Sequence, residues 1–219
     1  MKKHYYIVLD TETANGLDCP LTYDIGFAVI DRKGHVYETH SYIVKDIFFD
    51  RPELMQSAYY KDKIPKYLND IENGTRQVKT FFQIRKIIWD IIKKYDIKAV
   101  MAHNMRFDLN ALNNTVRYIS KSLVRYFFPF KVEMWCTLAM ARSTIARQVT
   151  YKMFCEENKF LNRYGKVRLT AEILYRFITQ NINFVEAHTG LEDVLIEKEI
   201  FTRCERQHKK MQRTYWKVA

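Results

Sequence analysis

The chain is poor in glycine, proline and cysteine, and it has no long apolar run. Six glycines and four prolines in 219 residues leave no flexible linker, no collagen-like period and no low-complexity block. The four cysteines, Cys19, Cys136, Cys155 and Cys204, lie far apart with no C-x-x-C pair. That spacing argues against a zinc knuckle or a redox dithiol. No stretch reaches the roughly 20 apolar residues of a membrane span. The first residues, Lys2-Lys3-His4 before the apolar run 5–9, are too short for a signal-peptide core and lack a small-residue cleavage site. The expectation is a cytoplasmic protein with free thiols and no membrane partner.

What is present is a core. Hydrophobic residues make up 47% and aromatics 15%, which excludes disordered and fibrous classes. The length suits one domain spanning 1–219, with 203–219 as a basic C-terminal extension. It leaves no room for a polymerase with an accessory domain. Lys and Arg number 36 against 25 acids, a net charge of +11. Such an excess suits a polyanionic partner, nucleic acid before membrane. The excess is localised. Residues 109–155 hold seven bases (Arg117, Lys121, Arg125, Lys131, Arg142, Arg147, Lys152) against Glu133 alone. Residues 203–217 hold six against Glu205. The first segment also carries Tyr118, Tyr126, Phe127, Phe128 and Phe130. Bases interleaved with aromatics suit single-stranded nucleic acid, through phosphate attraction and base stacking. The same aromatics could equally be core, with the bases a solvated face.

Periodicity gives the elements. The apolar, aromatic and branched run 5–9 reads as a buried strand. Residues 24–31 and 35–44 read as two more strands joined by a hairpin turn at Lys33-Gly34. Apolar residues recur at helical spacing over 80–95. Then follow a strand at 98–102, a helix at 106–119, a strand at 131–135 and helices at 137–145, 170–179 and 189–207. Three strands, a helix, then strands alternating with helices predict an α/β fold with a mixed sheet.

Asp10 and Glu12 close the first strand as Asp-Thr-Glu-Thr. Residues two apart in a strand share a face, so both carboxylates would converge where α/β sheets place ligands. Hard divalent cations take such oxygens. Asp108, in His103-Asn104-Met105-Arg106-Phe107-Asp108, opens a helix, and on its own could simply stabilise that helix end. His188 precedes the last helix, and Asp193 follows five residues on. Alone, a histidine there is most often structural.

Together the sets are sharper. Asp10-Thr11-Glu12-Thr13, then Asp24-Ile25-Gly26, then His103-Asn104-x-x-Phe107-Asp108, then Trp135-Cys136-Thr137-Leu138-Ala139-Met140-Ala141-Arg142, then His188 with Asp193 resemble the DEDDh family of 3′→5′ exonucleases. These are relatives of the proofreading epsilon subunit of bacterial DNA polymerase III. The resemblance runs from about Tyr5 to Phe201. Two departures stand out: Cys136 replaces a frequent Asp, and Gly190 stands where Ala is usual.

The resemblance implies a ribonuclease H-like mixed five-stranded sheet flanked by helices. It implies a two-metal exonuclease releasing nucleoside monophosphates from the 3′ end of single-stranded DNA, in trans to a separate DNA polymerase. Asp10, Glu12, Asp108 and Asp193 would hold two Mg²⁺ or Mn²⁺ ions, with His188 as general base. Thr13, Asn104 and Phe107 would touch the terminal nucleotide. Family members also act on RNA, so an exoribonuclease trimming oligoribonucleotides or tRNA ends stays open. So does a non-catalytic nucleic-acid- or polymerase-binding subunit. A standalone chain rich in Lys, Ile and Tyr suggests a low-GC bacterium or its phage, hence a bacterial cytoplasm.

Overall fold

In the computed structural model, residues 3–121 and 125–214 are described. Lys217 and the rest of 215–219, at the end of the basic extension, lie outside them. The sheet has six strands in the order β4-β3-β2-β1-β5-β6. They are β1 (Tyr5–Ala14), β2 (Leu21–Asp31), β3 (Val36–Val44), β4 (Gln77–Lys79), β5 (Ala99–Ala102) and β6 (Glu133–Cys136). β1, β2 and β3 form an antiparallel meander, and β4, β5 and β6 join in parallel. The expected five strands thus become six. The extra one, three residues beside the edge of β3, is too short to show a period of two. β1 also runs past its expected end: Asp10 and Glu12 lie within it, and a register shift follows between Glu12 and Thr13.

The hairpin turn falls where expected. Gly34 takes φ 86°, and the Asp31 N–H donates to the His35 carbonyl at 3.1 Å. Helices α1 (Lys45–Phe48), α2 (Pro52–Met55) and α3 (Ile64–Glu72) fill the link to β4. Their short length and mixed pattern leave that stretch without a periodic signal in the sequence. Then come α4 (Phe81–Tyr95), α5 (Met105–Ser120), α6 (Thr137–Ser143), α7 (Val149–Glu157), α8 (Ala171–Thr179) and α9 (Gly190–Glu205). α4 starts in a capping box: Thr80 accepts from the Gln83 N–H, and the Gln83 side chain accepts from the Thr80 N–H, so two orphan donors are satisfied reciprocally.

Strand alternation divides the core. Ile7 and Leu9 of β1 join Ile25, Phe27 and Val29 of β2 against α4 and α5, through Ile84, Ile88 and Leu112. Tyr6 and Val8 join Ala28 and Ile30 against α8 and α9, through Leu174, Val194, Ile200 and Phe201. Burying each large aliphatic or aromatic side chain contributes about 1.5–3 kcal/mol. By the period of two, Asp10 continues the Tyr6–Val8 side and so faces α9. Phe127 and Phe128 are core, whereas Tyr118, Tyr126 and Phe130 are exposed. Only the latter three remain free to stack with a ligand. The C-terminal segment is not a free tail throughout: Thr214 bridges to Trp135 of β6, and Arg213 pairs with Glu205 at 2.9 Å. Among the described residues no helix is long and apolar enough to cross a membrane.

Candidate active site

β1 is central, and its neighbour β5 accompanies it only along Tyr6–Val8. β5 then leaves the sheet for α5. On that side the Thr11 N–H has no strand partner, and a buried amide needs one. Asp108 supplies it: its Oδ1 accepts the Thr11 N–H at 3.2 Å and the Thr11 hydroxyl at 2.9 Å. Asp108 is thereby fixed beside β1 from the first turn of α5. At the same turn Asn104 takes φ 71° and is exposed, while Phe107 and Thr13 are half-buried.

The last helix is brought to β1 by a buried clamp. Asp24, opposite Glu12 in the β1–β2 register, accepts the Gly190 N–H at 3.0 Å. Arg76, in the turn after α3, donates to Asp24 at 3.1 Å, to Ser41 at 2.8 Å, to Asp70 at 3.0 Å and to Glu192 at 2.8 Å. One guanidinium thus ties β2, β3, α3 and the first turn of α9, using its rigid fork of donors. Burial pushes the Asp24 carboxyl up, and Arg76 and the Gly190 N–H pull against that.

The result is convergence. Asp10, Glu12 and Asp193 each bring a carboxylate oxygen within 4.8 Å of the others. Glu12 and Asp193 are buried. All four predicted acids are held above the ordinary carboxylate range. For Asp10 the causes are burial, then Glu12 and Asp108. For Glu12 they are burial, then Asp24 and Asp193. Asp193 is raised by burial, then Glu186, and Asp108 by burial, which its Thr11 bonds oppose. A set of oxygens this close repels itself when ionised. It suits a hard divalent cation that cancels the repulsion. Asp108, held by Thr11, adds to the field at Asp10 but is not one of the three acids that close within 4.8 Å.

His188 sits immediately before α9, at φ 52°. Its ring stacks on Tyr60, centroids 4.6 Å apart and planes 10° from parallel. Its Nδ1 lies 3.8 Å from Glu186. Lys63 donates to the Ala187 carbonyl and places its charge beside the same loop. Burial, then Lys63, holds the His188 pKa below its ordinary value, so the ring is neutral and basic at neutral pH. Glu186 is raised to about 7 by burial, then by Glu172. His188, Glu186 and Glu172 also bring one atom each within 4.8 Å of one another.

Tyr60, Lys63, Arg76 and Glu186 have no signal in the sequence, because each gains its place through long-range contacts. Glu197 had one weak signal, its spacing of four from Asp193; it is 2% exposed. His103 is a structural member. Its Nε2 lies 2.8 Å from the Leu169 carbonyl and its Nδ1 3.0 Å from the Thr137 hydroxyl. A carbonyl only accepts, so Nε2 carries the proton. Burial lowers its pKa to about 4, and it stays neutral.

No family model matches the chain, and no curated protein matches it in sequence. Among solved structures, product-bound exonuclease I superposes with a TM-score of 0.52 at 12% identity, over 91% of this chain and 42% of that one. Exonuclease I with the inhibitor BCBP gives 0.53 at 10% identity, over 94% and 44%. The zinc-bound E. coli ExoI–ssDNA complex gives 0.50 at 14%, over 90% and 39%. The chain therefore spans less than half the length of these proteins. At such identities the likeness is one of architecture: a mixed sheet flanked by helices in the ribonuclease H-like fold.

Proposed function

We propose that the chain is a metal-dependent 3′→5′ exonuclease of the DEDDh type, acting on single-stranded DNA and releasing nucleoside monophosphates. The observation that carries this reading is the convergence of Asp10, Glu12 and Asp193 within 4.8 Å, with the half-buried His188 ahead of the helix that carries Asp193. The fold is similar to part of E. coli exonuclease I, whose structure was solved as a complex with single-stranded DNA.

The donor set fits a divalent cation. It is all hard oxygen, and one of its atoms, Asp193 Oδ1, is buried without a hydrogen-bond partner. Asp10, Glu12 and Asp193 would hold one Mg²⁺ or Mn²⁺, and Asp10 with Asp108 a second. Two such ions supply charge stabilisation for the attacking and leaving oxygens of phosphodiester hydrolysis. The protein's own groups do the rest. His188 accepts the proton of the attacking water. Tyr60 fixes the plane of its ring, and Glu186 faces its Nδ1. Thr13, Asn104 and Phe107, at the same end of the sheet, would contact the terminal nucleotide. The basic segment 109–155, with exposed Tyr126 and Phe130, would draw in the strand.

The test is a 5′-labelled single strand incubated with Mg²⁺. A ladder of shortening products is expected, with no cleavage in chelator or by the Asp10→Asn protein. Early release of a 5′-terminal label would refute the direction, and an inert wild-type protein the activity. A matched RNA strand run alongside reads the sugar preference, which depends on contacts to the 2′-OH.

A further inference from the structure

The site holds one more carboxylate than the proposed function uses. Glu197 lies four residues after Asp193 on α9, so the two side chains leave the same face of the helix. It is 2% exposed, and glutamate is almost never fully buried unless paired. Among the described residues no Lys, Arg or His forms an ion pair with it. The charged groups that act on it most are Asp108, Asp193 and Glu186, all acids. It acts in turn on Asp10, after Glu12 and Asp108 and ahead of Asp193. A hydrogen bond from the His103 backbone meets it, but its Oε2 is buried with no partner at all, as is Asp193 Oδ1.

Asp24 shows what a purely structural buried acid looks like in this protein. It is fully buried, and it is met by Arg76 and by the Gly190 N–H. Glu197 has the His103 backbone bond but no guanidinium or other cation beside it among the described residues. An orphaned buried oxygen is destabilising. A divalent cation at the adjoining cluster would satisfy it and cancel the repulsion among the acids.

We propose that Glu197, on the same face of α9 as Asp193, is a further ligand of the cation centre, to which it would add its Oε2. The proposal rests on the metal-dependent reading above. It enlarges the four-acid set to five, all from β1, α5 and α9.

Calorimetric titration of the full-length protein with Mn²⁺ alone, beside thermal melts with Mn²⁺ and with chelator, tests it. Glu197→Gln keeps the shape and removes the charge. In chelator it should melt at or above the wild-type temperature, because a repelling buried acid is gone. With Mn²⁺ its affinity should fall at least about tenfold, the scale on which even outer partners of metal sites act, and its metal-induced rise in Tm should shrink. Wild-type Mn²⁺ affinity and stoichiometry in Glu197→Gln, with binding weakened in Asp10→Asn, would overturn the role of Glu197 and leave the nuclease reading standing. A wild-type protein that binds no Mn²⁺ would overturn both. Should Glu197→Gln fail to fold, Glu197→Asp keeps the charge on a shorter arm. Weakened Mn²⁺ binding is then expected, and unchanged binding counts against the proposal.

Discussion

Gly190, the first residue of α9, lies backbone to backbone against Gly26 of β2. A Cβ on Gly26 would sit 2.1 Å from the Gly190 carbonyl carbon, and one on Gly190 would sit 2.6 Å from the Gly26 nitrogen. Both distances are far inside van der Waals contact, and both neighbours are backbone that cannot step aside. This is the physical reason for glycine at 190 where the resembled family usually has alanine. Gly190→Ala should push the start of α9 away from the sheet and carry His188 and Asp193 with it. A loss of about 1–3 kcal/mol in stability is expected from the overpacking, and a loss of roughly 100-fold in nuclease rate from a displacement near 1 Å. Chemical denaturation and single-turnover cleavage measure the two. Wild-type rates in Gly190→Ala would show that the contact does not position the site.

The clamp around Arg76 gives a second prediction. Its side chain and that of Asp24 are both almost fully buried, 3% and 0% exposed. Removing one partner of a buried pair leaves an uncompensated charge, typically a loss of about 3–5 kcal/mol. Arg76→Ala should lose that much in urea denaturation. Adding Asp24→Asn in the same chain should recover part of it, since Asn keeps an acceptor for the Gly190 N–H and removes the stranded charge. A double variant as unstable as the strictly additive sum would argue that the two residues act separately.

The raised carboxylates set a pH dependence. A carboxyl whose folded pKa lies above its unfolded value near 4 binds more protons in the folded state. Its contribution is therefore unfavourable above that value, and grows until pH passes the folded pKa. Asp10, Glu12, Asp108 and Asp193 all shift upward. In chelator, stability should therefore fall as pH rises from about 5 toward 8, and Asp10→Asn should fall less steeply. Saturating Mn²⁺ should flatten the profile. Thermal melts across that range provide the comparison. Equal slopes for wild type and Asp10→Asn would contradict the assigned repulsion.

His188 should set the acidic limb of the pH–rate profile. Its pKa is lowered by burial and then by Lys63, so kcat/KM should reach half-maximum below the ordinary histidine value of about 6.5. Lys63→Met should move that limb upward. His188→Ala should lose about 10²- to 10⁴-fold in rate, the range of a general base, while single-strand binding stays intact. Tyr60→Ala, which removes the 4.6 Å stack, should lower kcat more than it raises KM. A pH–rate profile unmoved by Lys63→Met would separate the acidic limb from His188.

Amino-acid order alone determined most of the frame. The apolar run at 5–9, the helical spacing over 80–95 and the alternation of strands with helices after it placed the sheet and its major helices, because those elements bury a face whose period is local. It also determined which acids could serve: Asp10 and Glu12 share a strand face by the period of two, and His188 and Asp193 bracket one helix start. Tertiary structure decided what lies between. α1, α2 and α3 are short and gain their burial from contacts distant in sequence, and Tyr60, Lys63 and Arg76, in the turns around them, carry no local mark. The placement of Asp108 depended on β5 ending early enough to leave the Thr11 N–H open. The burial of Glu197, whose neighbours Ile196 and Lys198 give no hint of it, depended on α9 lying across β1. That approach in turn depended on two glycines, at 26 and 190, meeting without side chains. Pairwise contacts across 97 and 166 residues leave no periodic signal. Only the folded chain shows which acids are paired, which repel one another, and which are buried without a partner.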